Sequence, residues 1–182
     1  MNFIKTDIDG VIIVEPKIFN DERGYFFESY NENEFIKNGI KNRFIQDNQS
    51  KSCYGVIRGL HMQLPPFSQA KLVRVLQGTV LDVAVDVRPK SKTFGKYVAV
   101  ELSDKNQRQL FIPGEFFLHG FSVLSNTAIF TYKVDNVYNK NAEFGVNYNE
   151  IDVDWRIPPD KIITSEKDKS AHTLQDLIQR IR

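Results

Sequence analysis

The chain has 182 residues and carries 24 Lys and Arg against 23 Asp and Glu, a net charge of +1. This balance excludes an overall electrostatic pull toward nucleic acid or anionic membrane, so each basic residue must be judged individually. The length fits one domain, 1–182, and 41% hydrophobic residues with 12% aromatics supply a sizeable core. The single Cys53 has no internal disulfide partner, and the start MNFIKTDIDGVIIVEP lacks the basic head and long apolar stretch of a signal peptide. A reducing, cytoplasmic setting is expected. No run approaches the ~20 apolar residues needed to cross a bilayer, which predicts a soluble protein.

Along the chain, alternation of period two predicts strands at 11–15, 25–30, 43–48, 70–76, 96–102, 108–112 and 127–134. The clearest alternation puts Leu81, Val83, Val85 and Val87 on one face of a strand and Asp82, Ala84 and Asp86 on the other. Turn signals separate these stretches: Asp21-Glu22-Arg23-Gly24, Gln77-Gly78 and Pro113-Gly114. Two peripheral helices are predicted. The first spans 32–38, capped by Asn31 and stopped by Gly39; the second spans 173–181, with Leu174, Leu177, Ile178 and Ile181 on one face. Many short strands in one domain imply an all-β sandwich or barrel. The sequence has no internal repeat or linker-like tract.

Polar side chains concentrate in Gln46-Asp47-Asn48-Gln49-Ser50, Arg58-Gly59-Leu60-His61-Met62-Gln63 and Gln69-Ala70-Lys71-Leu72-Val73. Three adjacent strands would aim these groups into one cavity. Taken singly, Arg58, His61 and Lys71 read as residues of solvated faces. Strict alternation would also put Arg58 and His61 on opposite sides, so both reach one pocket only if Gly59 marks a bulge or the strand ends there.

Of the three histidines, His61, His119 and His172, no two lie at the spacing of a ready-made metal site. The pair of histidines plus glutamate seen in metal-binding cupin barrels is missing around Leu60-His61-Met62, so no metal is expected. No serine sits in a nucleophile elbow and no glycine-rich phosphate loop precedes a helix, which removes the hydrolase and dinucleotide readings.

Seven ordered motifs carry a family resemblance: Asp21-Glu22-Arg23-Gly24-Tyr25-Phe26-Phe27-Glu28, Gln46-Asp47-Asn48, Arg58-Gly59-Leu60-His61, Lys71-Leu72-Val73-Arg74-Val75, Asp82-Val83-Ala84-Val85-Asp86-Val87-Arg88, His119-Gly120-Phe121 and Ser165-Glu166-Lys167-Asp168. Together they make the chain similar to the dTDP-4-dehydrorhamnose 3,5-epimerase family. The resemblance implies a cupin-type jelly-roll β-barrel and a homodimer with exchanged N-terminal strands. It also implies cofactor-free action on dTDP-4-keto-6-deoxyglucose, in the synthesis of L-rhamnose for surface polysaccharide.

Epimerisation beside a ketone needs a base, stabilisation of the enolate and an acid on the opposite face of the ring. His61 suits the base, because an imidazole with an unperturbed pKa of ~6.5 is neutral yet basic near physiological pH. The resemblance makes Asp168 its orienting partner; by itself, Asp168 reads as part of a solvated charged tail. It also places Lys71 beside the ketone oxygen, with a permanent charge that favours the enolate, and makes Tyr132 the acid. Tyr132 follows Phe130 by two residues, so the two rings share a side. For the nucleotide diphosphate, Arg23 and Arg58 are implied phosphate clamps. Glu28, Gln46, Asp47 and Asn48 would lie along the ligand, Phe26 and Tyr138 near the thymine, and His119 near the sugar and its diphosphate. Glu143 and Lys167 complete the implied set.

Two segments depart from the family pattern. The lead Pro113-Gly114-Glu115-Phe116-Phe117-Leu118 into His119 is one residue longer, and Trp155-Arg156-Ile157-Pro158-Pro159 replaces a tryptophan-proline pair and lengthens the approach to Asp168. Three other readings stay open: a relative that inverts one carbon or takes another 4-keto sugar nucleotide, a non-catalytic sugar-nucleotide binder, and a metal-dependent cupin. Intact candidates for every catalytic role favour the double epimerase.

Overall fold

The computed structural model describes residues 1–181. Thirteen strands follow in chain order: β1 (Asn2–Lys5), β2 (Ile12–Glu15), β3 (Phe19–Asp21), β4 (Gly24–Phe26), β5 (Gln46–Cys53), β6 (Ile57–Gln63), β7 (Lys71–Gln77), β8 (Thr79–Asp86), β9 (Tyr97–Ser103), β10 (Gln109–Ile112), β11 (Phe117–Val123), β12 (Thr127–Val134) and β13 (Glu143–Gly145). Six form one antiparallel sheet, in the order β1-β2-β10-β7-β12-β5, and five form another, β13-β6-β11-β8-β9. From β9 to β13 every connection crosses from one sheet to the other, which gives the jelly-roll form of a cupin domain. The two sheets stack without hydrogen bonds that close them into a continuous barrel among the described residues. β3 and β4 make a separate hairpin around Glu22-Arg23.

Three apolar clusters hold the layers together. Between the sheets lie Val73, Val75, Val80, Ala84, Leu110, Phe121 and Phe130. Outside the five-stranded sheet, Leu81, Val83, Val85 and Val87 of β8 pack with Trp155 and Leu177 from the C-terminal part of the chain. Outside the six-stranded sheet, Val14, Leu72 and Phe111 meet Phe35 of α1 (Glu32–Lys37). Asn31 caps α1 as the sequence predicts, its side chain accepting from the amides of Asn33 and Glu34. α3 (Leu174–Ile181) likewise turns Leu177 inward until it is fully buried. Truncating Leu177 to alanine would cost about 2–5 kcal/mol.

The predicted strand at 127–134 matches β12 at both ends, whereas two others need correction. The strand expected at 25–30 stops at Phe26, and that expected at 43–48 starts at Gln46 and runs on to Cys53. The three polar stretches are not on adjacent strands either. β5 and β7 belong to the six-stranded sheet with β12 between them, while β6 belongs to the facing sheet. The cavity is therefore built from two opposed walls. A short helix that the sequence reading missed, α2 (Glu166–Lys169), is capped by Ser165 and carries Asp168, which is buried rather than part of a solvated tail. No helix among the described residues is long and apolar enough to cross a membrane.

Candidate active site

A cavity of about 680 Å³ opens between the sheets, with Arg58 and His61 from β6, His119 and Phe121 from β11, Lys71 from β7 and Tyr132 from β12 on its walls. Arg58 and His61 share it because β6 bulges. His61 pairs with His119 and Arg58 with Phe121, so Gly120 faces both Gly59 and Leu60. Gly59 has φ +115°, and an added Cβ would sit 2.7 Å from the Gly120 Cα and 2.7 Å from the His119 carbonyl oxygen. Only glycine fits this approach.

His61 Nε2 lies 2.6 Å from Asp168 Oδ1. A carboxylate accepts, so Nε2 carries the hydrogen and Nδ1 keeps a free lone pair. Burial pushes the Asp168 carboxyl upward, but hydrogen bonds from His61, Ser165 and the Gly59 amide outweigh it and hold the group below the usual carboxylate range. The long approach to Asp168 has not spoiled this geometry. Trp155 and Ile157 are buried, Ile163 bridges to Val56, and α2 follows directly.

A second imidazole–carboxylate pair sits deeper. His119 Nε2 is 3.0 Å from Asp82 Oδ2 and 3.2 Å from Oδ1, and both residues are buried. Burial, and to a lesser degree the charge of Lys71, push the His119 imidazole below its ordinary value despite Asp82 and so favour the neutral ring. With its hydrogen on Nε2, His119 offers the Nδ1 lone pair to Lys71 Nζ, 3.5 Å away. Burial lowers the Lys71 ammonium to about 8, against the opposing pull of Asp82 and Glu143. Its charge is thus not permanent, as the sequence reading expected, but titratable within reach of neutral pH. In the lead into His119, Phe116 has a φ of +58°. His119 still lines the cavity.

Tyr132 stands on the wall opposite His61. Burial raises its phenol above the ordinary value, with Arg58 opposing and Glu143 adding to the rise, so it keeps its proton until an anion forms beside it. Arg58 is steadied by a 3.0 Å bond from Nε to Ser52 Oγ. Asn48 is also on the lining, and Gln46 donates to its Oδ1. Together these groups can take a proton from one face of a bound ring, stabilise an oxyanion and return a proton from the other face.

The same architecture links this chain to known proteins. The sequence pattern described as dTDP-4-dehydrorhamnose 3,5-epimerase matches residues 5–176. The chain belongs to the dTDP-4-dehydrorhamnose 3,5-epimerase family. It is 51% identical to an enzyme of that name from Shigella flexneri over 97% of both chains. The crystal structure of dTDP-4-dehydrorhamnose 3,5-epimerase from Elizabethkingia anophelis NUHP1 superposes with a TM-score of 0.92 at 50% identity, covering 97% of each chain. A dTDP-6-deoxy-D-glucose-3,5-epimerase from Legionella pneumophila, solved in complex with dTDP-4-keto-L-rhamnose, superposes at 0.93 with 45% identity, covering 99% of this chain and 96% of that one.

Other residues that the epimerase resemblance marked fall into three groups. Tyr138, Glu143 and Lys167 line a smaller cavity of about 310 Å³ that shares His61, Lys167 and Asp168 with the main one. There the Tyr138 hydroxyl donates to Glu143 Oε2 at 2.8 Å, and Lys167 pairs with the other carboxylate oxygen. Glu143 is raised by burial and lowered more by Lys167 and Tyr138, ending below its usual value. Asp47 points away from the main cavity to Lys133, 2.9 Å away. Arg23, Phe26 and Glu28 are not brought to it by their own chain. Arg23 is tied to Asp21, Glu28 accepts from Asn31, and Phe26 is 70% exposed. Sequence reasoning missed Asp82 and Ser165 as partners. The signal for Asp82 was present: a carboxylate inside Val80-Leu81-Asp82-Val83-Ala84-Val85 must find a buried donor. Among the described residues no cluster of three or more metal-ligating side chains occurs.

Proposed function

We propose that this chain epimerises dTDP-4-keto-6-deoxyglucose at C3 and C5 to dTDP-4-dehydro-L-rhamnose. One observation carries the reading. The His61–Asp168 pair and Tyr132 enter one cavity from opposed sheets, the arrangement that removal of a proton from one ring face and its return from the other demands. His61 Nδ1 takes the proton next to the C4 ketone, and Asp168 steadies the imidazolium. Lys71, backed by His119 and Asp82, favours the enolate oxygen, and Tyr132 supplies the proton from the other side. Arg58 and Lys167 offer cationic donors to the diphosphate, and Tyr138 an aromatic face to the base.

The reading extends to a cytoplasmic homodimer. Its support is the β3–β4 hairpin, which leaves Phe19, Tyr25 and Phe26 exposed beside Arg23. Exchange of these N-terminal strands would bring Arg23, Phe26 and Glu28 to the partner's cavity.

The test is incubation with dTDP-4-keto-6-deoxyglucose in deuterated water. Deuterium entering at both C3 and C5, and lost in His61→Ala, is the expected result. Exchange at one carbon alone identifies a single-position epimerase, and none in the intact protein overturns the reading.

A further inference from the structure

Gln63 stands two residues after His61 on β6 and is almost wholly buried, yet it does not line the main cavity. Its amide spends all its bonding on main chain. Nε2 donates to the Phe67 carbonyl at 2.6 Å and to the Val137 carbonyl at 3.1 Å, and Oε1 accepts from the Asn139 amide at 2.6 Å. Val137 and Asn139 are the two chain neighbours of Tyr138. That ring is 57% exposed, and its one polar contact is the hydroxyl bond to Glu143. The backbone on either side of Tyr138 is therefore pinned by one side chain from the strand that carries His61.

We propose that Gln63 is a positioning residue for nucleotide recognition, clipping the 137–139 loop so that the Tyr138 ring is held ready as a platform for the base. The proposal rests on the nucleotide-sugar reading above. Neighbouring bonds brace the loop in the same sense. Gln69 donates to the Asn136 carbonyl, and Asn136 donates to the carbonyls of Pro66 and Ser68. Among the described residues only Gln63, however, grips both flanks of Tyr138. Without it, the Val137 carbonyl and Asn139 amide lose their partner, and the ring must be ordered at the moment of binding, which lowers affinity without altering the groups that move protons.

A double-mutant cycle separates this role from general support of the fold. Calorimetry with dTDP is run on the wild type, Gln63→Leu, Tyr138→Ala and the double variant, beside turnover of dTDP-4-keto-6-deoxyglucose. Loss of one base-stacking contact predicts a Kd for dTDP raised about tenfold in Tyr138→Ala and about as much in Gln63→Leu. The double variant should match Tyr138→Ala, and kcat of Gln63→Leu should stay within about threefold of wild type, with KM raised. Multiplied effects in the double variant, an unchanged Kd in Gln63→Leu, or a collapse of kcat overturns the clip. If Gln63→Leu does not fold, Gln63→Glu keeps the acceptor for Asn139 while losing the paired donors. It should weaken dTDP binding only where Tyr138 is present, and equal weakening in both backgrounds overturns the proposal. A wild type that does not bind dTDP overturns the nucleotide-sugar reading itself, and this proposal with it.

Discussion

His61 and Asp168 lie 107 positions apart in sequence and 2.6 Å apart in space, with the ring held by Nε2 and Nδ1 left free. If the carboxylate sets this tautomer and steadies the imidazolium, Asp168→Asn keeps the shape and loses the function. Solvent exchange at C3 and C5 should fall about 10³-fold or more, with dTDP binding changed little. Retention of more than a tenth of the exchange rate would remove Asp168 from the mechanism.

The alkaline side of the pH profile belongs to Lys71. Its ammonium, lowered by burial to about 8, must stay charged to favour the enolate, so kcat should decline as the pH rises through about 8. Asp82 opposes that lowering, and His61, His119, Arg58, Glu143 and Tyr132 are the other titratable or charged groups around this part of the cavity. Asp82→Asn should move the decline to lower pH, because the opposing negative charge is gone. A pH-rate series on both proteins checks it, and an unmoved alkaline limb would refute the Lys71 assignment.

The same burial has a stability consequence of opposite use. A folded value below the unfolded one means that the charged lysine costs stability. That cost is fully present below about 8 and is relieved as the pH rises toward 10.5. Lys71→Met should raise Tm at pH 7 by ~2–4 °C and abolish turnover. Thermal melts at pH 7 and pH 10 test it, and the gain should shrink at the higher pH.

Much of the fold was legible because β-strands announce themselves by alternation. Leu81, Val83, Val85 and Val87 do share a face against Trp155 and Leu177. The opposite face of the same strand was harder, since Asp82 and Asp86 look like solvent residues until His119 and Arg88 are seen to satisfy them. Within the candidate site, the need to bring Arg58 and His61 to one side left a bulge at Gly59 or a strand end there, and the register shift between β6 and β11 decides for the bulge. Nothing in 165–169 marks Asp168 as buried, because a four-residue helix closes too few turns to show a period. The placement of Arg23, Phe26 and Glu28 was illegible for another reason: all three are exposed on or just after the β3–β4 hairpin, where no core packing fixes a direction that a sequence pattern would record.

Asp86 gives a prediction about acid stability. It is fully buried and accepts from Arg88 Nε, Arg88 Nη2, Ser91 and Thr93. Burial raises its carboxyl, yet these bonds prevail and hold it far below the ordinary value of 3.8. A depressed folded value contributes stability that is present above the unfolded value and lost as the pH falls below it. Asp86→Asn leaves the Arg88 guanidinium partly unpaired and should cost about 3 kcal/mol in urea unfolding at pH 7. The difference from wild type should narrow below about pH 3, where the unfolded carboxyl is already protonated. A gap that stays constant across this range would show that Asp86 acts by shape alone.

Gly59 offers the sharpest structural test of how the site is assembled. Its φ of +115° disfavours any side chain, and a methyl group would meet both the Gly120 Cα and the His119 carbonyl at 2.7 Å. These backbone atoms have no rotamer with which to yield. Gly59→Ala should therefore force β6 and β11 apart at the point where one carries Arg58 and His61 and the other His119. The expected cost is about 2 kcal/mol or more in urea unfolding, because strain at a left-handed backbone position adds to overpacking. Turnover should fall far more than the loss of folded protein explains, since even a shift of about 1 Å misplaces the reacting groups. Gly24→Ala is the control: it also has positive φ, but a Cβ there meets nothing within 4 Å. If the two variants lose equal stability, the backbone conformation alone accounts for the effect, and the close approach of β6 to β11 contributes nothing measurable.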